Sequence, residues 1–218
     1  MLRVVVYAEG AGELTGRDKS RQRRPGTPFT GEELGSAHLL MRRCLEHTHD
    51  IATERIQFEE PLRLRARLPN GSDLQTERYL RQLLSWADEE FQPDLVIVLV
   101  DKDKDEAREA RLKSYIQDLP VAALVSVAVQ EFEAWLIADP QALKTVLRAP
   151  VSLPKPPEQL GRRQAKQLLQ EWSEQHASKH EPAEIRRQLA ETCDLETLRQ
   201  QCPAFAGFLQ RLQALALD

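Results

Sequence analysis

The sequence is poor in the features that mark secreted, disulfide-bonded and membrane proteins. It has only 3 cysteines among 218 residues, a small and odd number that excludes a disulfide framework. No run reaches the ~18 apolar residues that a membrane span needs, and the first apolar run is too short for a signal peptide. We therefore expect a cytoplasmic protein with reduced thiols and no membrane contact.

Other absences narrow the range of activities. The chain contains neither Gly-x-x-x-x-Gly-Lys nor Gly-x-Ser-x-Gly, which argues against a P-loop ATPase and against a serine hydrolase. Its net charge is only −4, so the average charge does not indicate a nucleic-acid-binding surface. What is present is ample core material, since 41% of the residues are hydrophobic.

Three apolar runs rich in β-branched residues alternate with helix-length segments. The runs cover residues 3–8, 93–101 and 121–129 and predict strands that are buried on both faces. Residues 54–68 alternate apolar with polar and are interrupted by Pro61, which predicts an edge strand or a short hairpin. The pattern predicts an α/β fold with a mostly parallel, Rossmann-like sheet flanked by helices.

The last third of the chain has a helical pattern and no further strands. A proline-rich connector over residues 148–160 precedes it. We predict an α/β domain over residues 1–148 and a C-terminal helical appendage over residues 149–218. Near the other end, Thr30 and Glu33 form a capping-box pattern that predicts a helix starting there.

Acidic residues follow each of the three predicted buried strands. In an open α/β sheet, ligands bind outside the carboxyl ends of the parallel strands, so these residues are candidates for one site. The acids are Glu9 after the first strand, Asp101 and Asp103 after the second, and Glu131 and Glu133 after the third.

Two interpretations of these acids remain open. Acids at three adjacent strand ends repel one another unless a cation is present, and Mg²⁺ prefers such oxygen ligands. The alternative is an acidic surface that is simply solvated, with Glu131 in the first turn of a helix, where acids are ordinary. Asp105, the third aspartate of the segment VIVLVDKDKDE, is predicted to be the cap of the next helix.

The order of these motifs resembles the TOPRIM domain of topoisomerases, primases and overcoming-lysogenization-defect (OLD-type) nucleases. Glu-Gly follows the first buried strand, and Asp-x-Asp follows a later one. In many nuclease-like relatives the first motif is Glu-Gly-x-Thr/Ser-Glu. Here it reads EGAGE over residues 9–13, with glycine in the hydroxyl position.

The resemblance is closer to a bacterial TOPRIM-like family known as a domain of unknown function, often encoded beside ABC- or SMC-type ATPases in mobile and anti-phage loci. The segments VQEFEAWLIADP (129–140) and LRQQCPAFAGFLQRL (198–212) carry it, so it covers nearly the whole chain. It implies Glu9 as a general base or metal ligand and Asp101 and Asp103 as ligands of Mg²⁺ or Mn²⁺. Glu133 would be a further ligand or a fixed structural acid, and Glu13 and Glu131 would be auxiliary acids.

A basic segment lies just after the first acidic motif. Residues 17–24, RDKSRQRR, are expected to lie beside the acidic edge and to bind phosphates, or else to form a solvated loop. The candidate phosphate-binding residues are Arg17, Lys19, Arg21, Arg23 and Arg24, together with Lys102 and Lys104 between the aspartates.

The leading hypothesis is a magnesium-dependent, TOPRIM-like nuclease that acts on nucleic acid and is controlled by an ATPase partner, for example in anti-phage defence. A second hypothesis is a non-catalytic, metal-binding sensor or partner-binding subunit. A third is a phosphatase of the haloacid-dehalogenase type, although in those enzymes Asp-x-Asp follows the first strand. The tryptophans Trp86, Trp135 and Trp172 are predicted to pack in the core or against helices rather than to stack on bases.

Overall fold

The structure is a computed structural model of the chain, and it describes residues 1–16, 28–29, 31–64 and 67–217. Its centre is a four-stranded sheet in the order β2-β1-β3-β4, and every neighbouring pair of strands is parallel. The strands are β1 (Leu2–Ala8), β2 (Ile56–Glu59), β3 (Leu95–Asp101) and β4 (Ala123–Ala128).

Helices surround this sheet, and all helices after β4 belong to the C-terminal part of the chain. The α/β prediction, with a parallel sheet flanked by helices and a helical C-terminal part, is confirmed. The helices are α1 (Ala11–Leu14), α2 (Ser36–His49), α3 (Gly71–Leu74), α4 (Glu77–Phe91), α5 (Arg108–Ile116), α6 (Glu133–Leu136), α7 (Pro140–Leu147), α8 (Gln164–His176), α9 (Pro182–Thr192), α10 (Leu195–Gln201) and α11 (Pro203–Gln213).

The strands are apolar throughout because both faces of the sheet are covered. Along β1, Val4 and Val6 belong to a core shared with α2 and the C-terminal helices, whereas Val5 and Tyr7 belong to a core shared with α4 and α5. Successive side chains of a strand point to opposite faces, so this alternation follows from the strand geometry. The C-terminal helices thus cover one face of the sheet, while the division near residue 148 stays a prediction.

Two helix starts differ from the predicted ones. The helix expected to begin at the Thr30–Glu33 capping box begins at Ser36, and Glu33 lies in a preceding 3-10 turn, Gly31–Glu33. The prediction that Asp105 caps α5 is also wrong. The cap position is Ala107, and the Asp105 carboxylate forms an ion pair with Arg111.

Two expectations, on the thiols and on membrane spans, can be compared with the described residues. Cys44, Cys193 and Cys202 are all buried and free, as expected for reduced thiols in a core. None of the helices in the described part of the chain combines the length and the apolar character needed to cross a bilayer.

Candidate active site

The sheet topology brings the three predicted strand ends to one edge. Because β1, β3 and β4 are parallel neighbours, their carboxyl ends are adjacent. Glu9 directly follows β1, Asp101 is the last residue of β3, and Glu131 and Glu133 follow β4. The strand order that the sequence argument assumed is therefore the one observed.

A cavity of about 210 Å³ lies at this edge, and we call it the acid cavity. All six acidic residues predicted from the sequence line it, and three basic residues from the start of α8 and the turn before it face them. The lining residues are Glu9, Gly10, Glu13, Asp101, Asp103, Gln130, Glu131, Glu133, Arg162, Arg163 and Lys166.

Glu9 is held in place by the backbone of two other segments. Its Oε2 atom accepts a hydrogen bond from the backbone N–H of Asp101 at 3.0 Å. On its other side the carboxylate packs against Gly71, the first residue of α3, where a Cβ atom would overlap the carboxyl group. Glycine at that position therefore lets the backbone approach the site closely.

Gly71 is itself fixed by a local hydrogen-bonded turn. The Asn70 side chain accepts from the Asp73 N–H at 3.1 Å, and the Asp73 carboxylate accepts from the Asn70 N–H at 3.0 Å, which forms a capping box. Arg67 donates to Asp73 at 2.6 Å. This turn holds α3 against Glu9.

Asp101 is an acid of the cavity whose pKa is strongly raised. Burial raises its pKa to about 8, and the nearby carboxylates of Glu9 and Glu133 act in the same direction. Its Oδ1 atom accepts from the backbone N–H of Phe132 at 2.9 Å, which opposes the shift. Arg108 donates to its backbone carbonyl.

Glu13 and Glu133 complete a cluster with Glu9 and Asp101. Burial raises the pKa of Glu13 well above its ordinary value, and the charges of Asp101 and Glu133 add to this effect. The Glu133 carboxylate lies 3.8 Å from the Arg186 guanidinium of α9. We call Glu9, Glu13, Asp101 and Glu133 the acid quartet. The charges of Glu9 and Glu133 raise the pKa of both Asp101 and Glu13, and the charge of Asp101 also raises the pKa of Glu13.

Asp103 lines the cavity but contacts arginines. It adopts a left-handed backbone conformation with a φ of 50°, and its carboxylate lies 3.3 Å from Arg108 and 3.2 Å from Arg162. Among the described residues, no group of three or more His, Cys, Asp or Glu side chains is arranged to hold a metal ion. A metal shared by Glu9, Asp101 and Asp103 therefore stays a prediction.

The sequence profile of the family named Domain of unknown function (DUF4276) matches residues 33–213, which is most of the chain. The chain belongs to the DUF4276 family. The match contains Asp101, Asp103, Glu131 and Glu133, but it begins after Glu9. No curated protein and no solved structure matches the chain.

In this DUF4276 protein, Glu131 connects β4 to the C-terminal helices. Its Oε1 atom accepts a hydrogen bond from the backbone N–H of Lys166 at 2.9 Å, in the first turn of α8. Burial raises the pKa of Glu131, and this hydrogen bond acts against the shift. Glu131 therefore positions α8. It is not an acid in the first turn of the helix that follows it, because α6 begins at Glu133.

The bases that face the acid quartet in the DUF4276 protein were not identified from the sequence. Arg162, Arg163 and Lys166 all come from the segment GRRQAK after the proline-rich connector, and its clustered charge was the available signal. Neither of the predicted bases Lys102 and Lys104 lines the acid cavity. Lys102 forms an ion pair with Glu106 at 2.5 Å, and Lys104 is exposed.

The five basic candidates from Arg17 to Arg24 lie outside the described residues.

Trp135 is fully buried and packs edge-on against Phe132 and Phe205. Its indole N–H donates to Glu158 at 3.0 Å, and Glu158 also accepts from the Ala204 N–H. The two segments that carried the family resemblance thus meet in the core behind the acid cavity.

Proposed function

We propose that the acid cavity is the site of a metal-dependent phosphodiesterase that acts on nucleic acid. The observation that supports this most is the convergence of carboxylates from three neighbouring strand ends opposite a basic helix start. Carboxylates suit a hard divalent cation, and bases beside them suit a phosphate.

The chemistry of the donor set suits Mg²⁺ or Mn²⁺, although the described carboxylates are not arranged around a single metal position. Buried carboxylates whose charges raise one another's pKa are destabilised in isolation, and a divalent cation would remove that repulsion. Glu9, Asp101 and Glu133 would hold the ion, each from a different strand end. The chemistry that such an ion would supply is polarisation of a phosphoryl oxygen and a lowered pKa of a bound water.

The chain's own residues supply the remaining functions. Arg162, Arg163 and Lys166 would bind the non-bridging oxygens of the phosphate and orient it toward the acid quartet. Asp103 positions Arg162 through its 3.2 Å ion pair. Glu13, whose pKa is raised by burial, is the acid best suited to hold a proton for the leaving oxygen.

Control by an ATPase partner of the ABC or SMC type, and a place in anti-phage defence, are further parts of this proposal. They are supported by the resemblance to TOPRIM-like families alone. The alternative function is a non-catalytic, metal-binding sensor or partner-binding subunit. It is favoured by the engagement of Asp103 with two arginines, since this carboxylate is then not free for a metal.

A cleavage assay separates the two functions. Labelled single- and double-stranded DNA and RNA are incubated with Mg²⁺ or Mn²⁺ and with the wild type, Asp101→Asn or Asp118→Asn. Asp118 is an exposed control, located after α5 and before the amino end of β4. We expect Asp101→Asn to lose about 100-fold or more in rate, whereas Asp118→Asn keeps the wild-type rate. Equal cleavage by all three would reject the site, and cleavage by none would favour the binding function.

A further inference from the structure

A second cavity of about 420 Å³ adjoins the acid cavity, and we call it the side cavity. It lies between α8, the start of α9 and the segment that joins them. Glu133 and Lys166 line both cavities, so the two are neighbours on the same surface. The lining residues are Glu133, Lys166, Leu169, Gln170, Ser173, Glu174, Ser178, His180, Pro182 and Arg186.

Arg186 stands at the boundary between the two cavities. Its guanidinium lies 3.8 Å from the Glu133 carboxylate, and it also approaches Gly12 in α1, where a Cβ atom would come within 3.2 Å of Nη2. The Nε atom of Arg186 is buried and has no hydrogen-bond partner among the described residues. One end of the side cavity therefore carries Arg186 and Lys166 beside Glu133, next to the place where we put the phosphate.

The rest of the side cavity has a different character. Leu169 and Pro182 provide apolar surface, and Gln170, Ser173 and Ser178 provide hydrogen-bonding groups. The Ser173 hydroxyl donates to the Leu169 carbonyl at 2.5 Å, so its oxygen is left as an acceptor. Apolar surface combined with a few polar groups is typical of a pocket for an organic ring rather than for a bare anion.

The size of the side cavity sets a limit on its ligand. Small-molecule pockets span about 300–1,000 Å³, and 420 Å³ is near the lower end. A nucleobase that is unpaired and unstacked presents its hydrogen-bonding edge and can enter such a pocket, whereas a base inside a duplex cannot. Imidazole and guanidinium groups are among those on which proteins stack bases, and His180 and Arg186 supply them.

We propose that the side cavity binds one unpaired nucleoside of a single-stranded nucleic acid, next to the phosphate in the acid cavity. The proposal rests on the proposed function, because the acid cavity must hold that phosphate. It adds a substrate class, since a strand that is single-stranded, or has an unpaired end, would be recognised and an intact duplex would not. Lys166 and Arg186 would bridge the two cavities by contacting the phosphate that links them.

Binding of mononucleotides tests this proposal without cleavage. Affinities for nucleoside 5′-monophosphates and for inorganic phosphate are measured by calorimetry, with Mg²⁺ present. Gln170→Trp fills the side cavity from an exposed position of α8. Gln167→Trp is the matched control, because Gln167 is also an exposed glutamine of α8 and lines neither cavity.

We expect the wild type and Gln167→Trp to bind at least one nucleotide about tenfold more tightly than phosphate. Gln170→Trp should lose this preference and keep its affinity for phosphate. The proposal is overturned if the wild type shows no preference, or if the two tryptophan variants behave alike. No nucleotide preference combined with intact metal-dependent cleavage refutes the side cavity alone. A nucleotide preference without metal-dependent cleavage refutes the cleavage activity and leaves a nucleotide-binding cavity.

Discussion

The carboxylate of Glu9 accepts a hydrogen bond from the backbone N–H of Asp101, which lies 92 positions further along the chain. This contact joins the ends of two neighbouring parallel strands and places two acidic side chains side by side. Glu13 and Glu133 add two more carboxylates to the same cavity. A fold gains nothing from such repulsion, and this is why we propose that a cation completes the site.

The first prediction concerns the stability of the metal-free protein. The pKa of Asp101 is raised from 3.8 to about 8 by burial and by its acidic neighbours, so the folded state retains a proton that the unfolded chain has released. The part of the folding stability that depends on the Asp101 proton is therefore fully present below pH ~4 and is lost as the pH rises through about 8. Asp101→Asn removes the titrating group and should be more stable than the wild type at pH 8, by about 1–3 kcal/mol.

Denaturant unfolding in the presence of a chelator, at several pH values, provides the measurement. The difference between the two proteins should shrink toward zero near pH 4, where Asp101 is protonated. A variant that is less stable than the wild type at pH 8 would mean that the ionised Asp101 carboxylate stabilises the fold.

The second prediction concerns the position of Glu9. Gly71→Ala places a methyl group against the Glu9 carboxylate, which must then move away, while the rest of α3 can remain helical. We expect metal affinity to fall about tenfold with little change in stability. Gly31→Ala is the control, because a Cβ atom there comes within 4 Å of no described atom outside its chain neighbours. Equal metal affinities for the two alanine variants would show that Glu9 takes no part in metal binding.

The third prediction separates the two glutamates after β4. Glu133→Gln should weaken Mn²⁺ binding about tenfold or more, because it removes a charge from the acid quartet. Glu131→Gln should leave Mn²⁺ affinity within about threefold, because the amide oxygen can still accept the Lys166 N–H that fixes α8. Titration of both variants with Mn²⁺ measures the difference, and a larger loss for Glu131→Gln would reverse the two roles.

The fourth prediction concerns the core behind the acid cavity. Trp135→Phe removes the indole N–H that donates to the partly buried Glu158, and we expect a loss of about 1–3 kcal/mol in the free energy of unfolding. Metal affinity should not change, since Trp135 lies outside the cavity lining. Trp86, which is 38% exposed, gives a matched substitution, and Trp86→Phe should change stability by no more than about 0.5 kcal/mol.

The main features of the sheet and its acidic edge could be predicted from the sequence, because the signals are local. A strand that is buried on both faces must be apolar along its length, and β3 ends where VIVLV gives way to Asp101. Parallel strands then bring their carboxyl ends together, so Glu9, Asp101 and Glu133 could be assigned to one site before any coordinates were known.

The remaining features of the site depend on contacts that no local pattern encodes. The Glu131 side chain and the Lys166 N–H lie 35 positions apart and meet only because α8 packs over the edge of the sheet. The direction of the Asp103 side chain depends on its left-handed backbone conformation, which a period-two argument for an extended chain cannot anticipate. The side cavity could not be predicted from the sequence either, because it depends on how α8 and α9 pack against each other.

The central claim is that the acid quartet binds a divalent cation, and Mn²⁺ binding tests it most directly, without substrate or partner. The loss of the free Mn²⁺ electron paramagnetic resonance signal is measured on titration with the wild type, Asp101→Asn and the surface control Asp118→Asn. We predict that the wild type and Asp118→Asn bind Mn²⁺ with the same affinity and that Asp101→Asn binds at least about tenfold more weakly. Equal binding by all three proteins, or no binding by the wild type, would contradict the account.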